Sequence, residues 1–320
     1  MKNSLKSQGL KVRPGTTVSG KWHHNHYEVV KTLGYGAIGT VFLAKKENQL
    51  VAIKMSEQQA SITTEVNVLK ALQKVQGKRL GPSLLDVDDW QLRNGKQISF
   101  YVMEYLDGTG LNTFLKKRGY EWIGILLLQI LDDLDRLHRE GWIFGDLKRE
   151  NLIVTQSPPR LRWIDVGGTT KIGRAVKEYT EFYDRGYWGL GSRKADPSYD
   201  LFALAMVVIQ IFYPNYFLKG KDPLRTLRYY INRAPGLRLY SSCLEKALLG
   251  KYTSGKEMKD DISRLLLSRK KRKEQKIPVN NSVGTNVTNG NRSDLKLRFM
   301  ETTGIGIIMF IFYMIFVLLQ

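Results

Sequence analysis

The chain has 320 residues, 42% hydrophobic and 25% charged, a globular mix that excludes a fully disordered or collagen-like protein. Its one cysteine, Cys243, excludes an intramolecular disulfide and a multi-cysteine zinc site, and fits a reducing compartment. The net charge of +20 is uneven: residues 1–21 hold five basic and no acidic residues, and 264–320 hold ten basic against three acidic. A field of that sign attracts nucleic acid, anionic lipid and phosphorylated ligands.

In chain order, residues 1–21 read as a basic extension without the apolar stretch of a secretory signal. His23, His24 and His26 are spaced like metal ligands, but no carboxylate or cysteine accompanies them, and they read as a surface strand. Apolar runs at 27–33, 40–44, 51–55 and 98–105, bounded by turns, read as strands. Residues 62–72 read as a helix, with Val66, Leu69 and Leu72 at three-residue spacing. After residue 107 helical patterns dominate, at 111–118, 121–140 and 199–212, and Cys243 reads as a small core residue. A β-rich lobe of about 22–106 followed by a helical lobe of about 107–265 makes one two-lobed α+β catalytic domain. Beyond it lie the basic run Arg269-Lys270-Lys271-Arg272-Lys273 and a polar stretch at 280–291, so 266–301 reads as a flexible linker. Residues 302–319 then carry no charge. As a helix they span ~27 Å, near the ~30 Å hydrocarbon core, and 302–320 reads as a transmembrane helix. Basic residues before that span and none after it place the body in the cytoplasm and the C-terminus at the outer face of the cell membrane.

Four stretches carry chemistry. Leu33-Gly34-Tyr35-Gly36-Ala37-Ile38-Gly39-Thr40-Val41 is a G-x-G-x-x-G-x-V loop between two strands, where missing Cβ atoms let backbone N–H groups approach phosphate. A dinucleotide-binding loop opens a helix instead. Val51-Ala52-Ile53-Lys54 puts a lysine on the following strand, and that lysine needs a carboxylate to fix it. Glu65 sits mid-helix with an apolar face behind it; Glu57 is its rival, because only 11 residues separate Lys54 from Glu65. Phe144-Gly145-Asp146-Leu147-Lys148-Arg149-Glu150-Asn151 combines an aspartate, a lysine and an asparagine, and Asp165-Val166-Gly167 follows fourteen residues later.

In this order the four stretches resemble the eukaryotic-like (Hanks-type) serine/threonine protein kinases of bacteria, over about residues 27–265. The resemblance implies the bilobal kinase fold and a cleft for ATP with Mg²⁺, or Mn²⁺ in its place. It implies that Leu33, Gly34, Gly36, Gly39 and Val41 cover ATP, that Lys54 holds its phosphates, and that Met103, Glu104 and Leu106 form the gatekeeper and hinge. Asp146 is implied as the base for the substrate hydroxyl, Lys148 as counter-charge to the γ-phosphate, and Asn151 and Asp165 as metal ligands. Thr180 and Tyr183 match the T-x-x-Y of a substrate-positioning loop. Asp200 resembles the aspartate that braces the catalytic loop, with a plain helix cap as its other reading. Three departures stand out. Phe144-Gly145 replaces His-Arg, so an activation-loop phosphate lacks its usual arginine, although Thr169 and Thr170 remain candidate phosphosites. Val166 replaces Phe, and Arg185-Gly186-Tyr187 stands where Ala-Pro-Glu is expected.

The resulting expectation is an ATP-dependent serine/threonine kinase acting on protein hydroxyls. Two other readings stay open. Gly145-Asp146 is also similar to the H-G-D of small-molecule phosphotransferases, and an inactive scaffold is opposed by the presence of Lys54, Asp146, Asn151 and Asp165. The run Arg269–Lys273 is expected to meet the anionic membrane or DNA without sequence preference. The sequence does not fix the oligomeric state.

Overall fold

In the first lobe, side chains alternate between two faces of a sheet, and that alternation places the cleft residues. The computed structural model describes residues 10–36, 39–73, 81–156 and 158–274. Strands β1 (Thr17–Ser19), β2 (His26–Tyr35), β3 (Thr40–Lys46) and β4 (Gln49–Ser56) precede helix α1 (Gln59–Gln73). Strands β5 (Leu84–Gln91) and β6 (Gln97–Glu104) follow it. The six strands form one antiparallel sheet in the order β1-β2-β3-β4-β6-β5. Along β4, Val51, Ile53 and Met55 join Phe42, Phe100 and Val102 in a core inside the sheet. With a period of two, Ala52 and Lys54 must face the other way, as must Tyr101 and Met103 on β6. That second face receives Ile62, Val66, Leu69 and Leu72 of α1. Their three- and four-residue spacing carries Glu65 on the same buried face.

Two features of this lobe depart from the sequence reading. The expected basic extension of 1–21 contains β1, which pairs with β2 through Thr17, Val18 and Ser19. Strand β5 is absent from the sequence reading because three aspartates within LLDVDDWQ suppress strand propensity. All three serve tertiary contacts, Asp89 by accepting from the Trp22 indole N–H (3.1 Å). Asp88 accepts hydrogen bonds from the Trp22 and His23 N–H groups (2.9 and 2.8 Å), and Asp86 from the Tyr27 hydroxyl (2.6 Å). The Lys21 N–H donates to the Asp89 carbonyl (2.8 Å), and the sheet curls until its edge strands β1 and β5 meet.

The second lobe starts with β7 (Gly108–Gly110), α2 (Leu111–Arg118), α3 (Trp122–Arg139) and β8 (Trp142–Ile143). Strands β9 (Leu152–Thr155), β10 (Arg160–Trp163) and β11 (Thr170–Lys171) come next, in sheets ordered β10-β9-β7 and β11-β8. Helices α4 (Arg185–Trp188), α5 (Pro197–Phe212), α6 (Pro223–Arg233), α7 (Pro235–Arg238), α8 (Ser241–Leu248) and α9 (Gly255–Glu274) complete it. Helix α5 opens with proline in its first turn and is buried all round from Tyr199 to Ile211, so it is the pillar of this lobe. Cys243 is buried, as expected. Helix α9 runs through Glu274, so the flexible linker expected from residue 266 does not begin there, and the basic run occupies helical positions. The chain divides into two units after Arg272, and the second contributes only the end of α9 to the described residues. No helix among the described residues is long and apolar enough to cross a membrane; the expected span at 302–320 lies outside them.

Candidate active site

Lys54 Nζ lies 2.8 and 2.7 Å from the two carboxylate oxygens of Glu65 and 3.5 Å from Asp165 Oδ1. Burial works against the ammonium, but the charges of Asp165 and Glu65 outweigh it and hold Lys54 protonated above its ordinary range. The Tyr101 hydroxyl donates to Glu65 Oε2 (2.7 Å) and fixes the carboxylate from behind. The rival Glu57 is exposed and pairs with Lys96 (2.7 Å), so Glu65 is the partner of Lys54. Nothing in the sequence singles out Tyr101 beyond its strand register. Glu178 also reaches this cluster. Its Oε2, Glu65 Oε1 and Asp165 Oδ1 all lie within 3.5 Å of the point where a Gly167 side chain would begin. Desolvation, then the charges of Glu65 and Asp165, push the Glu178 carboxyl above its ordinary value.

The loop after β8 brings the second group together. Lys148 Nζ contacts Asp146 Oδ2 directly and lies 3.3 Å from Thr180 Oγ1. The Thr180 hydroxyl donates to Asp146 Oδ1 (3.1 Å). Asn151 donates its amide to the Asp146 carbonyl (2.9 Å). Below the loop, Asp200 is fully buried and accepts from the N–H groups of Phe144 (2.7 Å) and Gly145 (2.9 Å) and from His138 Nε2 (2.9 Å). Asp200 is therefore a brace for this loop, while Asp196 stands at the N-cap position of α5 without a side-chain cap bond. His138, from the end of α3, escaped the sequence reading because its partner lies 62 residues away. Gly145 has φ +83°, and a side chain there would collide with the Gly168 carbonyl. The backbone itself thus excludes an arginine at this position.

The remaining expected residues take varied places. Leu33 is exposed on β2, and Gly34 pairs with Val41 across the β2–β3 turn, where the Gly36 N–H donates to the Gly39 carbonyl (2.8 Å). Met103 is buried opposite Ala52, and the Glu104 side chain accepts from the Ser83 N–H (3.1 Å) near Leu106 in the chain. Tyr183 is buried, with its hydroxyl on Gln210 and 3.4 Å from Glu150, so it packs the substrate loop rather than facing a substrate. Thr169 is buried with its hydroxyl unpartnered among the described residues, and the Thr170 hydroxyl donates to the Gly168 carbonyl (2.9 Å). Neither candidate phosphosite is freely presented. Val166 packs in the main core. His23 does acquire carboxylates, contrary to the sequence reading: its Nδ1 lies 2.6 Å from Asp86 Oδ1 and 3.9 Å from Asp88 Oδ2. The two carboxylates also accept from Asn25 and the Tyr27 hydroxyl at Asp86 Oδ2, and from the N–H groups of Trp22 and His23 at Asp88 Oδ1 and Oδ2, which makes the cluster a latch for the N-terminal segment.

A lysine–glutamate pair with a half-exposed aspartate beside it, together with an Asp–Lys–Thr cluster, can hold a triphosphate and direct a hydroxyl at it. The chain matches the protein kinase domain model over residues 27–276. It is 51% identical over 263 residues to the serine/threonine-protein kinase YabT of Bacillus subtilis (strain 168), covering 82% of this chain and 78% of that one. Among solved structures, vaccinia related kinase 3 superposes with a TM-score of 0.61 at 12% identity, over 83% of this chain and 94% of that one. The kinase domain of Mycobacterium tuberculosis PknI gives 0.55 at 17% identity, over 80% and 100%. These two bear on the fold alone. On sequence and fold together, the chain belongs to the protein kinase family as an ATP-dependent bacterial serine/threonine kinase of the Hanks type.

Proposed function

We propose that this kinase transfers phosphate to protein hydroxyls with Asp146 as general base, Lys148 as counter-charge to the moving phosphoryl group, and Lys54, fixed by Glu65, on the α/β-phosphates. The observation that carries this reading is that two adjacent glycines touch both groups: Gly167 lies against Glu65 and Asp165, and Gly168 against Asp146, which Lys148 and Thr180 bond. The residues present fit ATP and a divalent cation. Among the described residues, nothing lies within 4 Å of the point where a Gly34 side chain would begin. Asp165 is half-exposed and uses only Oδ1 in its protein contacts. Asn151 spends its amide N–H on Asp146 and keeps its oxygen for a cation. Asn151 and Asp165 would hold a Mg²⁺ ion, which would supply neutralising charge to the phosphates.

The chain's own groups do the rest. Thr180 and Lys148 donate to the two oxygens of Asp146 and fix it as an acceptor. The substrate oxygen bonds the γ-phosphorus and the bond to the bridging oxygen breaks. ADP leaves with that electron pair, and the hydroxyl proton passes to Asp146. The braced loop around Thr180 favours a polypeptide hydroxyl over a small molecule. The uncharged stretch 302–319 supports a membrane-tethered enzyme with its catalytic domain in the cytoplasm, and the run Arg269–Lys273 supports contact with DNA.

The test is phosphate transfer from radiolabelled ATP by the full chain. Asp146→Asn and Lys54→Ala are each expected to lower the rate by ~10²–10⁴. Full activity of either variant overturns the role given to that residue.

A further inference from the structure

The family's usual glutamate after the substrate loop is absent, and Gly145 leaves no arginine for a loop phosphate. Something else must hold the loop against Asp146. The segment 184–199 contains a buried polar hub of suitable geometry. Asp184 is wholly buried, and its two oxygens accept from the N–H groups of Gly186 (3.1 Å) and Tyr187 (2.9 Å), from Arg193 Nε (2.8 Å) and from the Tyr199 hydroxyl (3.0 Å). The next residue, Arg185, is also buried. Its guanidinium donates to the carbonyls of Ser192 (2.6 Å) and Lys194 (3.0 Å), to both oxygens of Asp196 (3.2 and 2.6 Å) and to the Ser198 hydroxyl. Its nitrogens thus meet five acceptors, a paired and hydrogen-bonded state that a buried cation requires.

The hub connects to the reacting group through contacts on one side of it. Arg193 leaves Asp184 and lies over the ring of Tyr179, 4.2 Å from its centroid. Tyr179 precedes Thr180, whose hydroxyl is bonded to Asp146. Gly186 is needed for this path, since a side chain there would begin 2.9 Å from Arg193 Cγ. The Asp184 N–H also closes the turn onto the Glu181 carbonyl (3.1 Å), which sets the height of the loop. The ATP-facing group, Lys54, Glu65 and Asp165, shares none of these contacts.

We propose that Asp184, Arg185 and Arg193 are positioning residues that hold the substrate loop in its working register without any phosphate. The proposal rests on the assignment of Asp146 and Thr180 above and concerns what keeps them together. A loop displaced by about 1 Å costs catalysis up to ~10²-fold. The consequence is selective: binding of the polypeptide suffers and binding of ATP does not.

The experiment uses the full chain in detergent, treated with phosphatase and checked by mass spectrometry to carry no phosphate. Initial rates are measured against a peptide substrate and against ATP for wild type, Arg193→Gln, Arg193→Lys and Asp184→Asn, and thermal unfolding is followed for each. Arg193 is partly exposed, so its variants keep the test open if Asp184→Asn does not fold. Unphosphorylated wild type is expected to be active. Arg193→Gln is expected to raise the peptide KM about tenfold or more, with the ATP KM unchanged, and Arg193→Lys to recover part of that loss. Equal peptide KM in Arg193→Gln, or a parallel rise in both KM values, overturns the proposal, as does loss of wild-type activity on phosphatase treatment that rephosphorylation restores. A wild type that transfers phosphate to no polypeptide in either state overturns the kinase mechanism itself and is told apart by that blank.

Discussion

Lys54 is almost wholly inside the protein, where an ammonium costs several kcal/mol to desolvate. Bidentate contact with Glu65 and the nearer oxygen of Asp165 offset that cost. Among the described residues, removing the lysine leaves Glu65 with only the Tyr101 hydroxyl, which makes Lys54→Ala a stability change of ~3–5 kcal/mol as well as a catalytic one. Asp146→Asn keeps its shape and is the cleaner probe of chemistry. Glu178 presents the opposite balance. It adds a third carboxylate near Glu65 and Asp165, where Lys54 is the cation that opposes them, and its carboxyl is pushed up. A carboxyl whose folded pKa is raised contributes stability while protonated, below the unfolded value near 4.5, and loses it as pH rises through the folded value. Above that folded value Glu178, as a carboxylate, therefore destabilises the fold. Glu178→Gln is expected to raise Tm by about 1–2 °C at pH 7, with the gain vanishing below pH 4.5. Thermal unfolding from pH 4 to pH 8 checks this, and a gain equal at every pH shows that charge is not the cause.

At the scale of elements, the loop from Gly145 to Thr180 behaves as a preset part rather than a switch. Its glycine at positive φ interlocks with Gly168, and β11 pairs Thr170 with Ile143 of β8. Alanine at 169 removes a buried hydroxyl that has no partner, a change that costs little or stabilises. The double variant Thr169→Ala/Thr170→Ala is expected to keep activity within about threefold in the same transfer assay, since substitutions without a lost network move stability by ~0.5 kcal/mol. A loss of a hundredfold shows that a phosphate there is required. Elements with strong apolar periodicity were legible in the sequence: β3, β4, β6, α2, α3 and α5 lie where alternation and helical spacing place them. Strand β5 was not, because its aspartates look like loop residues until the N-terminal segment that they bind is folded onto them. The same limit applies at the site. Lys54, Asp146, Lys148, Asn151 and Asp165 stand in short local motifs. Tyr101, His138 and Glu178 acquire meaning only through partners far along the chain, and the hub at Asp184 and Arg185 only once its short loop is folded. Glu65 was separable from Glu57 only by three dimensions, since the deciding fact is the face of α1 that turns inward.

For the whole molecule, the charge excess concentrated in the flanks is the feature that the catalytic cleft does not use. The run 269–273 is the densest part of it. The bland account is attraction to anionic lipid, at ~1 kcal/mol per basic residue close to a membrane surface. It suits Arg292, Lys296 and Arg298, next to the uncharged stretch, better than a run about 30 residues upstream. The run occupies the last turns of α9, and that changes its expected strength. Five charges on a flexible chain can all meet phosphates. If the helical spacing holds for the charges themselves, positions three and four apart act as one group, 269, 272 and 273, which 270 and 271 do not join. If three charges meet DNA phosphates, log K falls with log salt at a slope of about −2.7, against about −4.5 for five. The measurement is fluorescence anisotropy of a labelled duplex with the full chain in detergent, from 50 to 300 mM salt. It is repeated with Arg269, Arg272 and Lys273 changed to Gln, and with Lys270 and Lys271 changed to Gln. The first variant is expected to lose most of the salt-dependent affinity and the second little. Equal loss in both shows that the run does not act as one helix face. Unchanged binding in both, together with weaker attachment of the variants than of wild type to anionic but not to neutral vesicles, assigns the run to lipid instead.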